Sequence, residues 1–142
     1  MISTQEYSTD FYSVPMNARD IDTIEKILQR DLIRSGVQSA LLIDTAGNII
    51  AKSDNGRCNF DLYSLAALAS ANFAAVEAMA NLLGDMGFSL LFHGGSKENT
   101  HFSKITDEVI LINIFSKKIP LGDLRLRITR VAKKIKRLWN IQ

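Results

Sequence analysis

The sequence predicts an α+β domain built on a mainly antiparallel sheet. Apolar periodicity along the chain gives the element order helix, two strands, helix, three strands, helix. Short turns rich in Gly, Asp and Asn join the consecutive strands, and such turns make hairpins whose strands run antiparallel. The length of 142 residues suits one domain with a core of its own.

Composition excludes several other classes of protein. The chain is 46% apolar and 23% charged, which is ordinary for a globular domain. We expect no membrane span, because no apolar run approaches the roughly 18 residues that a spanning helix needs. The first residues, Met1 to Glu6, lack the basic start and apolar segment of a signal peptide. Cys58 is the single cysteine, so no intrachain disulfide is possible and a cytoplasmic location is expected.

The first half of the chain contains a tail, a helix and a hairpin. Residues 1–18 are polar and interrupted by Pro15, which predicts a flexible tail before a domain at 19–142. Apolar spacing predicts a helix from about Asp20 to Ser35, with Asp20 as its cap and Gly36 as its stop. Residues 37–44 carry apolar side chains at both odd and even positions, as a strand covered on both faces does. The Asp44–Gly47 turn then leads into a returning strand at 48–53.

The second half repeats the alternation of helix and hairpin. A long helix is predicted at 61–84, followed by strands at 87–93, 100–105 and 108–115 and by a last helix from Leu121 to about Trp139. The strand at 108–115 is the most apolar of the three, so we expect it at the centre of the sheet.

The long helix at 61–84 carries three different faces. One wide apolar face is predicted to pack on the sheet, with Asn72 buried within it; its members are Leu62, Leu65, Leu68, Ala69, Val76, Met79 and Leu83. A polar stripe comprises Tyr63, Ser70, Glu77 and Asn81. Away from the sheet lies an alanine ridge, made of Ala67, Ala71, Ala74 and Ala78. A lone surface helix would carry Lys or Glu there, so the ridge indicates contact with a partner. The alternative is that alanine is simply the best helix former.

Residues that carry chemistry are few, and we expect no catalytic residue, no metal and no cofactor. The stretch Gly94–Lys97 resembles a phosphate-binding loop, but its order is wrong and it joins two strands. His93 and His101 flank that turn and are expected to be ordinary surface histidines, because a zinc site wants three or four ligands. Cys58 has no histidine near it in sequence to act as a base.

The last helix concentrates the positive charge of the chain. From Lys117 onward there are nine basic and one acidic residue, a net charge of +8, whereas residues 1–116 carry −6. The spacing predicts a basic surface of four side chains, Arg130, Lys133, Lys134 and Arg137. We expect it to meet an acidic patch on another protein; the alternative is a solvated face. No aromatic residues interleave with these cations, so nucleic acid is not expected as a partner.

Three segments together resemble the Roadblock/dynein-light-chain family. They are the strand–turn–strand ALLIDTAGNIIAKS at 40–53, the alanine-rich helix LAALASANFAAVEAMANLLG at 65–84 and the PLGDLRL run at 120–126. The likeness covers about residues 20–139 and is greatest to the bacterial and archaeal members that regulate Ras-like small GTPases. It implies a profilin-like, five-stranded antiparallel sheet, with the second helix on one face and the first and last helices on the other.

The resemblance also implies a function. Members of this type form homodimers and raise GTP hydrolysis by a Ras-like GTPase without inserting an arginine. The homodimer is expected to use five residues: Phe88, Leu90, Leu91, Phe92 and Ala75. The GTPase is expected on the alanine ridge together with Ser70. One alternative is an adaptor dimer with no effect on hydrolysis. Another is a small-ligand sensor, which the bulky side chains on both faces of the central strands disfavour.

Overall fold

The computed structural model describes residues 17–84 and 90–138. Their elements follow the predicted order and are α1 (Ala18–Asp31), β1 (Val37–Asp44), β2 (Ile49–Asp54), α2 (Leu62–Leu82), β3 (Leu90–Gly94), β4 (Glu98–Thr106), β5 (Val109–Ser116) and α3 (Leu121–Leu138). A short 3-10 helix, Ile33–Ser35, joins α1 to β1. The predicted tail lies outside the described residues, except that α1 already includes Ala18.

The strands form one antiparallel sheet in the order β2-β1-β5-β4-β3. β5 lies at its centre, as its apolar sequence predicts, and is buried from Val109 to Phe115. The hairpins β1–β2, β3–β4 and β4–β5 follow from their short connections. β2 and β3 are the two edges of this sheet.

Helices cover both faces of the sheet, and the prediction of an α+β sandwich with three long helices is confirmed. One face is covered by α1 and α3, whose Ile24, Leu28 and Ile128 pack with Leu42 and Leu111 of the sheet. The other face is covered by α2, whose buried residues pack against an apolar set from the sheet: Leu41, Ile43, Phe102, Ile110 and Ile112. Each large side chain buried here contributes about 1.5–3 kcal/mol.

The helix ends explain where α1 starts and stops. Asn17 caps the helix, because its side-chain Oδ1 accepts a hydrogen bond of 2.9 Å from the Asp20 amide. The prediction that Asp20 is the cap is therefore wrong by one turn: Asp20 lies within the first turn, where its charge complements the helix dipole. α1 ends at Asp31 with Leu32 as its C-cap, four residues before the predicted end at Ser35. Gly36, with a left-handed φ of 112°, instead ends the 3-10 helix that follows.

The turn between β1 and β2 is built by Asp44, as predicted. Its Oδ1 accepts hydrogen bonds from the amides of Ala46 (3.0 Å) and Asn48 (2.8 Å). Gly47 in this turn has a φ of 90° and lies against α2, because a Cβ built there would be 3.0 Å from the Cα of Ala67. The turn thus supports the N-terminal half of α2.

Candidate partner-binding surfaces

The buried face of α2 differs from the predicted one. The side chains that pack on the sheet are Ala66, Ala69, Ser70 and Phe73. Of the seven residues predicted to form the buried face, Ala69 is buried and Leu62 and Leu65 pack at the margin of the core. Asn72, predicted to be buried, is exposed. The prediction failed because α2 is apolar on most of its circumference, so the spacing of its leucines does not indicate which side the sheet covers.

Large apolar side chains of α2 and of the residue after it therefore face away from the domain core. Leu68 is 70% exposed, Met79 60%, Leu82 88% and Leu83 79%. Together with the exposed residues of the alanine ridge, they form a broad apolar surface. An exposed patch of this kind marks a site of interaction. The helical spacing of these apolar residues is visible in the sequence, but it was taken to indicate the side of α2 that packs on the sheet.

The four members of the alanine ridge are exposed, as the sequence predicts, but Ser70 is not beside them on the surface. Ser70 is buried, and its hydroxyl donates a hydrogen bond of 3.2 Å to the carbonyl oxygen of Ala67. It packs beside Gly47 in the β1–β2 turn. The prediction that Ser70 contacts a partner is therefore wrong, because its hydroxyl is used within the domain.

The surface of α2 is nearly free of charge. Glu77 is the one ionisable carboxylate within the helix, and its Oε2 accepts a hydrogen bond of 2.8 Å from Lys104 Nζ of β4. This hydrogen bond raises the pKa of Lys104 above its ordinary value, and a second contact with Asp107 adds to the effect. Glu77 therefore ties the helix to the sheet and leaves the outward face neutral.

The two edges of the sheet are unequal. At β2, two side chains of α1 form hydrogen bonds with the edge strand. Glu25 Oε2 accepts one of 3.0 Å from the backbone amide of Lys52, and Gln29 Oε1 accepts one from the Ser53 hydroxyl. Within residues 17–84 and 90–138, β3 pairs with β4 along one side only, in the register Leu90 opposite Ser103 and Phe92 opposite His101. Phe88, expected at the homodimer contact, lies outside the described residues.

α3 presents three of the four predicted basic residues to solvent. Arg130, Lys133 and Arg137 are exposed, and Leu126, which is 52% exposed, shares their side of the helix. Lys134 is half-buried and forms an ion pair with Asp31 of α1. Partial burial opposes ionisation of Asp31, but hydrogen bonds from Arg30 and Lys134 outweigh it and hold the pKa of Asp31 below its ordinary value. Lys134 therefore links the two helices, while its side chain remains 40% exposed beside the other three basic residues.

The histidine and metal expectations have separate outcomes. His101 is fully buried on the α3 side of the sheet, so the prediction of a surface histidine is wrong there. Burial, aided by the nearby Arg125, lowers the pKa of His101 to about 4. Within residues 17–84 and 90–138, no three His, Cys, Asp or Glu side chains come together as a metal site would require.

Among the described residues, one helix, α2, is long and apolar enough to cross a membrane by length and composition alone. Only about a fifth of this helix is buried within the domain. Its buried side chains pack on the sheet of the domain, so that one side of the helix is already covered by protein. The apolar character of its remaining sides is what an association surface requires.

This architecture is similar to that of known proteins. The family model of the Roadblock/LC7 domain matches residues 23–115. The gliding protein MglB from Thermus thermophilus superposes with a TM-score of 0.79 at 26% identity, covering 90% of this chain and 96% of that one. Myxococcus xanthus MglB gives a TM-score of 0.81 at 27% identity, with coverages of 88% and 93%.

A further structure, described as MglB with a tetrameric arrangement, gives a TM-score of 0.80 at 27% identity, covering 90% of this chain and 96% of that one. No curated protein sequence matches the chain. The family match covers the first helix from residue 23 onward, α2 and the five strands up to residue 115, and so includes the elements that carry the uncovered apolar face and the open edge. The chain belongs to the Roadblock/LC7 family.

Proposed function

We propose that this protein is a homodimeric regulator of a Ras-like small GTPase and that it accelerates GTP hydrolysis by that GTPase. The similarity to MglB of two species, at 26% and 27% identity over most of both chains, supports a GTPase-regulating role. The observation that carries the proposal is the exposed, uncharged face of α2, which is too apolar to be left in water.

The homodimer forms through β3 and α2. β3 is the open edge of the sheet, whereas β2 is partly occupied by Glu25 and Gln29 of α1. An unprotected edge strand pairs readily with another strand, and a two-fold axis beside β3 would make one continuous sheet from two copies. Only residues 83–89 separate α2 from β3, so the helix and the edge belong to the same side of the domain.

The GTPase docks on the alanine ridge. Its four side chains are short and lie at steps of four and three residues on the outward face of α2. Such residues let another backbone approach closely, and paired helices from two copies would make a flat platform for one GTPase. We propose no catalytic residue in this chain: the regulator holds the switch segments of the GTPase in place, and the GTPase supplies its own catalytic groups.

Phosphate release tests this proposal. A Ras-like GTPase of the same organism, loaded with GTP, is assayed alone, with this protein and with its Ala71→Arg variant. We expect faster release with the wild-type protein and the basal rate with the variant. Binding to the GTP-loaded form without any change in rate would favour the adaptor instead. If the protein binds no such GTPase, whether loaded with GTP or with GDP, both functions are contradicted.

A further inference from the structure

The sheet carries two buried polar side chains on the side that α3 covers. His101 of β4 and Asn113 of β5 lie opposite each other in the strand register, and both are fully buried. Their polar side-chain atoms find no hydrogen-bond partner within the described residues. Each of these atoms loses its hydrogen bonds to water on burial and gains none in return, so the pair opposes the docking of the element that covers it.

The beginning of α3 lies close to this pair. Arg125, in the second turn of α3, is near enough to His101 for its positive charge to act on the imidazole. A protonated imidazole at this position would lack water and would also be repelled by the guanidinium. Uptake of a proton by His101 therefore opposes the docking of α3 in two ways.

No opposite charge compensates a proton on His101. Within residues 17–84 and 90–138, Arg125 is the one charged group that shifts the pKa of this histidine. The neighbours of His101 in the strands are uncharged: Asn99 and Ser103 along β4, Phe92 opposite it on β3 and Asn113 on β5. None of these four positions supplies a carboxylate.

The first half of α3 is held weakly. Among residues 121–127, Leu124 is the one buried side chain. Gly122 in the first turn is exposed, and a Cβ built on it would meet nothing within 4 Å. Glycine weakens a helix, because it regains more conformational freedom than any other residue when the helix opens. This half can therefore open at a smaller cost than the rest of the helix.

The second half of α3 is anchored more firmly. Its buried side chains are Ile128, Val131 and Ile135. Lys134 also forms an ion pair with Asp31 of α1. We propose that residues 121–127 form a cover over His101 and Asn113, which opens when His101 takes up a proton in mild acid while the second half of α3 stays docked.

The size of the effect follows from the two protonation equilibria of His101. Burial lowers the pKa of His101 from 6.5 to about 4 in the closed form, whereas the open form exposes the imidazole to water and restores its ordinary pKa. The open form therefore gains protons first, and its share rises as the pH falls from 6.5 towards 4. Between pH 7 and pH 5 the ratio of open to closed form should increase about twentyfold.

Amide hydrogen exchange tests the cover. The amides of residues 124–127 report its opening, because they donate to the carbonyls of residues 120–123; that of Leu124 bonds Pro120 at 3.2 Å. Exchange rates at pH 7 and pH 5, each divided by the intrinsic rate at that pH, give the open fraction. We expect this fraction to rise about twentyfold at pH 5. It should change little in dilute urea, because a local opening exposes little surface.

Two histidine variants identify the group that takes up the proton. His101→Leu should abolish the pH effect at residues 124–127, because leucine cannot be protonated. His93→Leu is the matched control, since His93 is the other histidine of the sequence, and it should leave the pH effect intact.

Gly122→Ala provides a further test that keeps His101 in place. The open space at Gly122 accepts a Cβ, and alanine stabilises a helix relative to glycine. The open fraction should fall about threefold at both pH values, and the ratio between them should stay the same. An open fraction unchanged by this substitution would contradict an opening of the first half.

The urea dependence decides whether the opening is local. The amides of β5, at the centre of the sheet, should exchange through unfolding of the whole domain and should depend strongly on urea. If residues 124–127 exchange at pH 5 with the rate and the urea dependence of β5, α3 opens only with the whole domain and the inference is wrong. A pH effect that persists in His101→Leu would also overturn it. Neither outcome bears on the proposed function, which concerns the opposite face of the sheet and is measured by phosphate release.

Discussion

At the scale of single residues, the buried polar pair under α3 determines a pH response. His101 and Asn113 are opposite each other on β4 and β5, both are fully buried, and neither side chain has a hydrogen-bond partner within the described residues. Burial lowers the pKa of His101 from the ordinary value of 6.5 to about 4, so the imidazole of the folded protein is neutral at pH 7.

His101 should make the protein less stable in mild acid. The unfolded chain takes up a proton near pH 6.5 and the folded one only near pH 4, so stability is full above pH 6.5 and falls between these values. The loss approaches about 3 kcal/mol at most. Urea unfolding at pH 7 and pH 5 measures it. His101→Leu should show a smaller loss between the two pH values; an unchanged difference would contradict this account.

Gly47 is the other residue on which a single change is decisive. Gly47→Ala should lower the free energy of unfolding by about 1–3 kcal/mol. Alanine rarely adopts the positive φ of 90° found there, and its Cβ would lie 3.0 Å from the Cα of Ala67 in α2. Gly56→Ala is the control: its φ is also positive at 81°, but nothing lies within 4 Å. Chemical denaturation should show the larger loss for Gly47→Ala, and equal losses would mean that the close approach to α2 is unimportant.

At the scale of elements, α2 and α3 carry opposite kinds of surface. α2 is an almost uncharged helix whose outward face is apolar, and α3 is a strongly basic helix whose apolar side, with Leu124, Ile128, Val131 and Ile135, is fully buried. We therefore expect contacts of α2 to depend on shape and those of α3 to depend on salt.

The alanine ridge should be sensitive to bulk. Ala67→Arg or Ala71→Arg should abolish GTPase binding, because a long cation prevents close approach of the partner, whereas the cost of this exposed change to the helix is only a few tenths of a kcal/mol. Calorimetry measures binding, and circular dichroism checks the fold. Asp22→Arg, on α1 at the opposite face of the sheet, should bind normally. Normal binding by both ridge variants would place the GTPase elsewhere.

The basic surface of α3 should act on the rate of association. Reversing Lys133 and Arg137 to Glu should slow binding to an acidic partner at low ionic strength and have little effect at high ionic strength, because long-range attraction is screened by salt. Stopped-flow measurements at two salt concentrations test this. Lys26→Glu on α1 is the control. Equal rates for the double variant and wild type at both concentrations would indicate a solvated face.

At the scale of the whole molecule, the open edge strand β3 and the apolar face of α2 together predict a homodimer. The protein should scatter light as a dimer at tens of micromolar, because the proposed second copy would cover both the exposed face of α2 and the outer side of β3. Leu91→Lys should weaken that dimer by placing a charge on the edge strand. A wild-type monomer, or a Leu91→Lys dimer as tight as wild type, would contradict pairing at this edge.

Much of the fold could be predicted from the sequence because its signals are local. The Asp44 turn, the Gly36 stop, the central position of β5 and the exposure of the alanine ridge depend on hydrogen bonds, backbone angles or periodicity within a few residues. The cap at Asn17 was missed by one turn, since Asn and Asp are equally good caps and both are present.

The orientation of α2 was decided only by the tertiary structure. A helix with apolar residues on most of its circumference does not indicate which side the sheet will cover, and here the sheet covers Ala66, Ala69 and Phe73 and not the larger leucines. The same docking buried Ser70, exposed Asn72 and left Leu68, Met79 and Leu82 on the surface. Likewise, the ion pair between Lys134 and Asp31 joins residues 103 positions apart. Sequence alone determined the elements and their order; the contacts between distant elements determined which side chains are left for partners, because burial is a property of the packed layers and not of any one segment.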